Sequence, residues 1–177
     1  MRFVKRVVTV VFLFAVLLAA AAYLLPREVQ VSRTTTIDAP PDTVFPLVNS
    51  LQEAATWSPW LELDPSVRLA YTGPDSGVGN RMAWRSMHPD VGSGSQEITE
   101  STANAHVGTA LDFGEMGTAT ASYDLQPAGT GTMVTWSMIA DMGMNPVARW
   151  TGLLMDRWVG DDFERGLINL KRVAEGR

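Results

Sequence analysis

From Val7 to Leu25 the chain runs for 19 residues without a charge, and Thr9 and Tyr23 are its only polar side chains. At about 1.5 Å per residue a helix of that length spans roughly 28 Å, close to the roughly 30 Å of a bilayer's hydrocarbon layer. Arg2, Lys5 and Arg6 precede the run, and Pro26 and Arg27 close it. A basic flank on that side predicts a cytoplasmic N-terminus with the rest of the chain carried across. A cleaved signal peptide is the competing reading, because Val7 to Leu18 forms a shorter apolar region and Ala20-Ala21-Ala22 supplies small residues for cleavage. Both readings export the domain. Tyr23-Leu24-Leu25 prolongs the run to spanning length and favours the uncleaved anchor. Residues 1–26 therefore read as a transmembrane anchor or signal segment and residues 27–177 as the domain. The expectation is a single-pass membrane protein with an extracytoplasmic domain, secreted or periplasmic if the segment is cleaved.

The pattern then changes period. Val29, Val31, Arg33, Thr35 and Ile37 alternate with Gln30, Ser32, Thr34 and Thr36, which predicts a first strand. Asp38-Ala39-Pro40-Pro41-Asp42 stops it, and Val44, Phe45, Leu47, Val48 and Leu51 fit one or two short helices. Extended segments separated by turn signals follow at 67–71, 78–86, 93–101, 105–113, 118–125 and 132–138, which predicts an antiparallel meander. Asn145 and Pro146 have the chemistry of an N-cap and first position for a C-terminal helix. Val147, Trp150, Leu154 and Trp158 share one helical face, whereas Phe163, Leu167, Leu170 and Ala174 share another. One straight helix cannot bury both. Gly160 lies at the phase change and Asp161 with Glu164 resembles a capping box, so a kink or restart is expected there.

Composition narrows the chemistry. There are 14 Lys and Arg against 19 Asp and Glu, a net charge of −5. Three of the basic residues lie before residue 27, leaving 11 against 19, or −8, for the domain. That balance argues against nucleic acid as a partner. The absence of cysteine removes disulfides, thiol nucleophiles and thiolate metal sites, and two histidines, His88 and His106, are too few for a His-based metal centre. No cofactor or metal is implied. Met138, Met142 and Met144, with Met133 and Met116, read as an adaptable apolar rim rather than a thioether site.

The order strand, short helices, meander, long C-terminal helix resembles the helix-grip fold of the SRPBCC superfamily, which includes START lipid-transfer domains and polyketide cyclase-like proteins. Thr36-Ile37-Asp38-Ala39-Pro40-Pro41-Asp42-Thr43-Val44-Phe45 is similar to the family's first strand and helix entry, and Trp57-Ser58-Pro59-Trp60 to its tryptophan turn. Residues 131–137 resemble its last strand and residues 160–171 the C-terminal helix of the polyketide cyclase-like branch. The resemblance covers about residues 28–175. It implies an α+β, START-like fold, an antiparallel sheet curled around a long C-terminal helix, here preceded by one transmembrane helix. It carries over no catalytic residue, because the superfamily has no shared catalytic constellation.

In such a fold alternate strand residues face inward, and the apolar parities select Met82, Trp84, Ile98, Leu111, Phe113, Tyr123, Leu125, Val134 and Trp136. Their helical partners are Trp158, Phe163, Leu167 and Leu170. Singly these are core residues; as a set they are candidates to line a concave, apolar ligand cavity. Trp57 and Trp60 stand where either a cavity entrance or a structural corner would be. Glu100, on the face of Ile98, is the carboxylate with the best claim to chemistry, while His88 and His106 read as surface residues. The leading expectation is a domain that binds a hydrophobic small molecule or lipid, held at the membrane through residues 7–25. A polyketide cyclase/dehydratase-like enzyme using Glu100 or Tyr123, and an interaction module with a fully packed core, are the alternatives. Protein partners are not legible in the chain.

Overall fold

A computed structural model describes residues 2–176; Met1 and Arg177, the outer ends of the two segments above, lie outside it. The apolar run forms helix α1 (Arg2–Ala22), which ends three residues before the sequence pattern does. Leu25 precedes Pro26 and so disfavours helical backbone, and Tyr23, Leu24 and Leu25 instead close single turns back to the carbonyls of Ala20, Ala21 and Ala22. This helix is long and apolar enough to cross a membrane, with a mean hydropathy of 2.3 over its best window.

The alternating segments become seven strands: β1 (Glu28–Ile37), β2 (Arg68–Thr72), β3 (Arg81–Arg85), β4 (Ser93–Thr102), β5 (His106–Asp112), β6 (Thr118–Ala128) and β7 (Gly131–Asp141). They form one sheet in the order β1-β7-β6-β5-β4-β3-β2, antiparallel throughout. Helices α2 (Pro41–Val48) and α3 (Leu51–Ala55) fill the long connection from β1 to β2, and α4 (Pro146–Gly152) and α5 (Met155–Ala174) end the chain. Asn145 caps α4 as its chemistry requires, accepting from the backbone N–H groups of Val147 and Ala148. The architecture is α+β, a curled antiparallel sheet gripping a long C-terminal helix.

Helix α5 lies along the β1 side of the inward face. Arg33 reaches from β1 to Asp156 at 2.8 Å and Glu164 at 2.9 Å, and Lys171 donates to the Thr36 carbonyl at 2.7 Å. Two glycines make this approach possible. A Cβ at Gly160 would stand 2.0 Å from the Arg33 guanidinium, and one at Gly166 would stand 2.7 Å from the Trp136 ring.

Two expectations are corrected here. The helix does not restart at Gly160: the break falls at Leu153-Leu154, between α4 and α5, and α5 is continuous through Gly160. Gly160 is a close-packing position on the buried stripe that also holds Phe163, Gly166, Leu167 and Leu170. Trp158, expected inside the grip, is 57% exposed. With the buried stripe of α5 set by Gly160 and Phe163, the face carrying Trp158 turns away from the sheet.

Candidate functional site

Strand register sorts the inward face into rows. One row runs Val107, Tyr123, Trp136, Arg33, and the next runs Leu125, Val134, Thr35. Over them Trp57, Trp60 and Phe163 complete an aromatic cluster. Trp136 stacks on Phe163 with centroids 3.9 Å apart and planes 9° from parallel, and Trp57 meets Trp136 edge-on at 5.5 Å. Trp60 meets Trp136 edge-on at 5.7 Å, and Tyr123 lies 5.2 Å from Trp136. Trp57, Tyr123, Trp136 and Phe163 are each at most 4% exposed. Burial drives the Tyr123 phenol far above its usual range, so it stays protonated. This half of the grip is closed core, and its tryptophan turn is a corner: the Trp57 indole N–H donates to the Leu47 carbonyl and that of Trp60 to Asp162. The Trp136 indole N–H, in the middle of the cluster, is buried without a hydrogen-bond partner among the described residues.

The other half is built differently. Its rows run Leu69, Trp84, Gly94 and then Tyr71, Met82, Gln96, Leu111, Ala119, Ala140, Val29, followed by Ile98, Thr109, Ala121, Met138, Val31. Large side chains stand towards β2 and β3, and the floor towards β6 and β7 is mostly alanine. Leu69, Tyr71, Trp84, Leu111 and Phe113 are only half-buried although all face inward, because α5 lies on the opposite side of the grip. Trp84 lies flat over Gly94, where a Cβ would come within 2.5 Å of its ring, and meets Phe113 edge-on at 5.9 Å. A polar pair sits in the floor: Gln96 Nε2 donates to Thr109 Oγ1 at 3.1 Å. An apolar, half-open wall over small residues with one polar pair is the composition of a small-molecule site.

Of the candidate residues, Ile98, Val134 and Leu167 are buried in the core with Trp57, Tyr123, Trp136 and Phe163. Trp60 is half-buried beside them. Trp84, Leu111 and Phe113 are partly buried in the open half, and Met82 beside them is buried in the core. Glu100 lies in neither half. A β-bulge between Ile98 and Glu100 shifts the register, so Glu100 pairs with Gly108 and turns to the outer face. There His106 sits between Asp124, 2.7 Å from Nδ1, and Glu100, 3.5 Å from Nε2. This trio borders a shallow outer trough of about 420 Å³, and a second of about 500 Å³ lies between Arg81, Glu97, Asp112 and Asp141. Among the described residues no group of three His, Cys, Asp or Glu has metal-holding geometry. The floor residues Gln96, Thr109, Ala119, Ala121 and Ala140 do not stand out in the sequence. Their only signal is small or polar residues at inward parity.

A twisted antiparallel sheet gripping a C-terminal helix, with a tryptophan corner and one half of its concave face only partly packed, defines a helix-grip domain of the SRPBCC superfamily. Residues 28–175 match the family model described as polyketide cyclase / dehydrase and lipid transport, and the chain belongs to that family. No curated protein matches it. Among solved structures it is similar to the di-domain aromatase/cyclase StfQ of the steffimycin biosynthetic pathway, with TM-score 0.63 and 14% identity over 85% of this chain and 52% of that one. It is also similar to a putative uncharacterized protein from Rhizobium leguminosarum, with TM-score 0.61 and 13% identity over 85% and 96% of the two chains. A protein from Chromobacterium violaceum matches with TM-score 0.58 and 14% identity over 85% and 99%. At these identities the likeness is one of fold.

Proposed function

We propose that this domain binds a hydrophobic small molecule or lipid in the open half of its grip, and that α1 holds it at a membrane with the domain on the extracytoplasmic side. The observation that carries the reading is the inward wall of Leu69, Tyr71, Trp84, Leu111 and Phe113, apolar and only partly buried, above a buried floor of small residues. Family membership, whose description includes lipid transport, supports the same ligand class. Retention of α1 as an anchor is supported by its packing on the domain. Ala22 is fully buried, and Arg149 donates to the carbonyls of Tyr23 and Leu25 while its guanidinium lies 5.3 Å over the Tyr23 ring. The basic N-terminal flank supports the orientation.

Native mass spectrometry of the full chain extracted in mild detergent tests the ligand. A co-purifying apolar adduct is expected, and Trp84→Ala and Ala119→Phe should each lose it while retaining a cooperative melt. An adduct equally retained by both folded variants would overturn the placement in the open half. A reporter active only outside the cytoplasm, fused after the last residue, tests the orientation; activity of a cytoplasm-only reporter there would reverse it.

A further inference from the structure

The stripe Val147, Trp150, Leu154, Trp158 reads in the sequence as a core face, but the structure leaves it bare. With Met144 and Leu153 it makes six large apolar side chains between residues 144 and 158 that are 39 to 68% exposed. Elsewhere in the domain exposed apolar side chains are scattered, as at Val78, Met87 and Met116. Contiguous exposed apolar surface of this kind marks an interaction site.

Its position names the partner. The Trp150 indole N–H donates to the carbonyl of Leu18 at 3.0 Å, and the Tyr23 hydroxyl donates to the carbonyl of Met144 at 3.2 Å. The bare stripe is thus bonded to the last turns of the apolar helix. Leu18 stands four residues before the helix end at Ala22, about 6 Å along its axis. Interfacial helices bury their apolar face to about 5–10 Å, and tryptophan favours that zone. Where α1 crosses a bilayer, α4 must sit in its surface layer.

We infer that α4 and the start of α5 form a membrane-docking face, with the bilayer that α1 crosses as the occupant. The inference rests on the reading of α1 as membrane-spanning. It also places the docking face against one end of the sheet's inward rows. Gly152 packs on Val29 and Met142, where a Cβ would come within 2.9 Å of Val29 Cγ2. Val29 ends the row of Ala140, Ala119 and Leu111. The docking face therefore adjoins the Val29 end of that row.

The chain has no cysteine, so a single Cys carries a probe without further engineering. Full chain bearing Leu153→Cys, Val147→Cys, Met87→Cys or Leu13→Cys, each labelled with an environment-sensitive fluorophore, is reconstituted into phosphatidylcholine vesicles containing nitroxide-labelled lipid. All four positions are exposed in the structure, so the substitutions leave the core untouched. Probes at Leu153 and Val147 should be blue-shifted and quenched by the lipid nitroxide nearly as strongly as one at Leu13, with Met87 unquenched. Leu13 quenched while Leu153 and Val147 behave like Met87 overturns the docking face and leaves the anchor standing. Blue-shifted but unquenched probes at Leu153 and Val147 overturn it in favour of a protein surface, such as a second copy. An unquenched Leu13 overturns the anchor reading, and the docking inference with it.

Discussion

The two halves of the inward face share one sheet and one register, yet they solve opposite problems. In the closed half, bulky residues from β6 and β7 meet bulky residues from α5 and the tryptophan turn, so Trp136 is held on three sides by Phe163, Trp57 and Tyr123. In the open half the same strands continue with Ala119, Ala121 and Ala140, and no α5 aromatic descends to meet them. Side-chain volume and helix placement, not strand pairing, divide the grip into a tightly packed part and a less packed part, the one in which we propose a ligand binds. Stability and binding should therefore separate along the sheet.

The largest separation is expected from paired truncations. Trp136→Ala removes a fully packed ring and should destabilise the fold by about 3–5 kcal/mol in denaturant titrations. Trp84→Ala removes a partly buried ring of the same size and should cost about 1–2 kcal/mol, as expected for partial apolar burial, while abolishing the adduct. Equal losses of stability would erase the distinction between the halves.

Enlargement gives the converse contrast at smaller magnitude. Gly166→Ala places a methyl group against the Trp136 ring and the Pro59 ring, and overpacking of this kind costs about 1–3 kcal/mol. Ala119 is buried too, but the wall over it is only partly packed, so Ala119→Leu should cost less than Gly166→Ala while lowering ligand occupancy. Thermal melts of the two variants side by side decide the matter. A larger loss in Ala119→Leu would mean that the floor is packed.

The strands were legible because β-branched residues alternate through them and glycine and proline punctuate their ends. The closed core was legible for the same reason, since the inward parities at Tyr123, Leu125, Val134 and Trp136 hold. Parity failed at Glu100, where a bulge that no local residue announces moves the side chain to the outer face. It failed differently at Trp158 and Gly160. An apolar stripe looks the same whether it faces a core or, as we propose here, lipid. A helical glycine looks the same whether it breaks the helix or lets it approach a neighbour. The alanine floor left no positive signal, because a concave surface is made by side chains that are small.

The smallest effect concerns the joint between the apolar helix and the sheet, at the β1–β7 end of the grip. Arg27, just after the apolar segment, holds Asp141 at the end of β7 through contacts of 2.8 and 2.6 Å, and Glu28 pairs with Asp141 across the sheet. The guanidinium and the Gly143 backbone N–H hold the Asp141 carboxyl at about 2, below its ordinary value near 4. A carboxylate whose folded pKa is depressed stabilises the fold fully above its unfolded pKa and loses that contribution as pH falls through the folded one. The joint should therefore be intact at neutral pH and weaken between roughly pH 4 and pH 2. Because both side chains face solvent, the effect should be small and reduced further by salt. Melting temperatures of the wild type and Asp141→Asn, recorded from pH 7 down to pH 2, test it: the variant should melt lower at pH 7, and the gap should close below pH 4. A gap that stays constant with pH would show that Asp141 acts through shape, and the β1–β7 end of the grip would owe nothing to this charge pair.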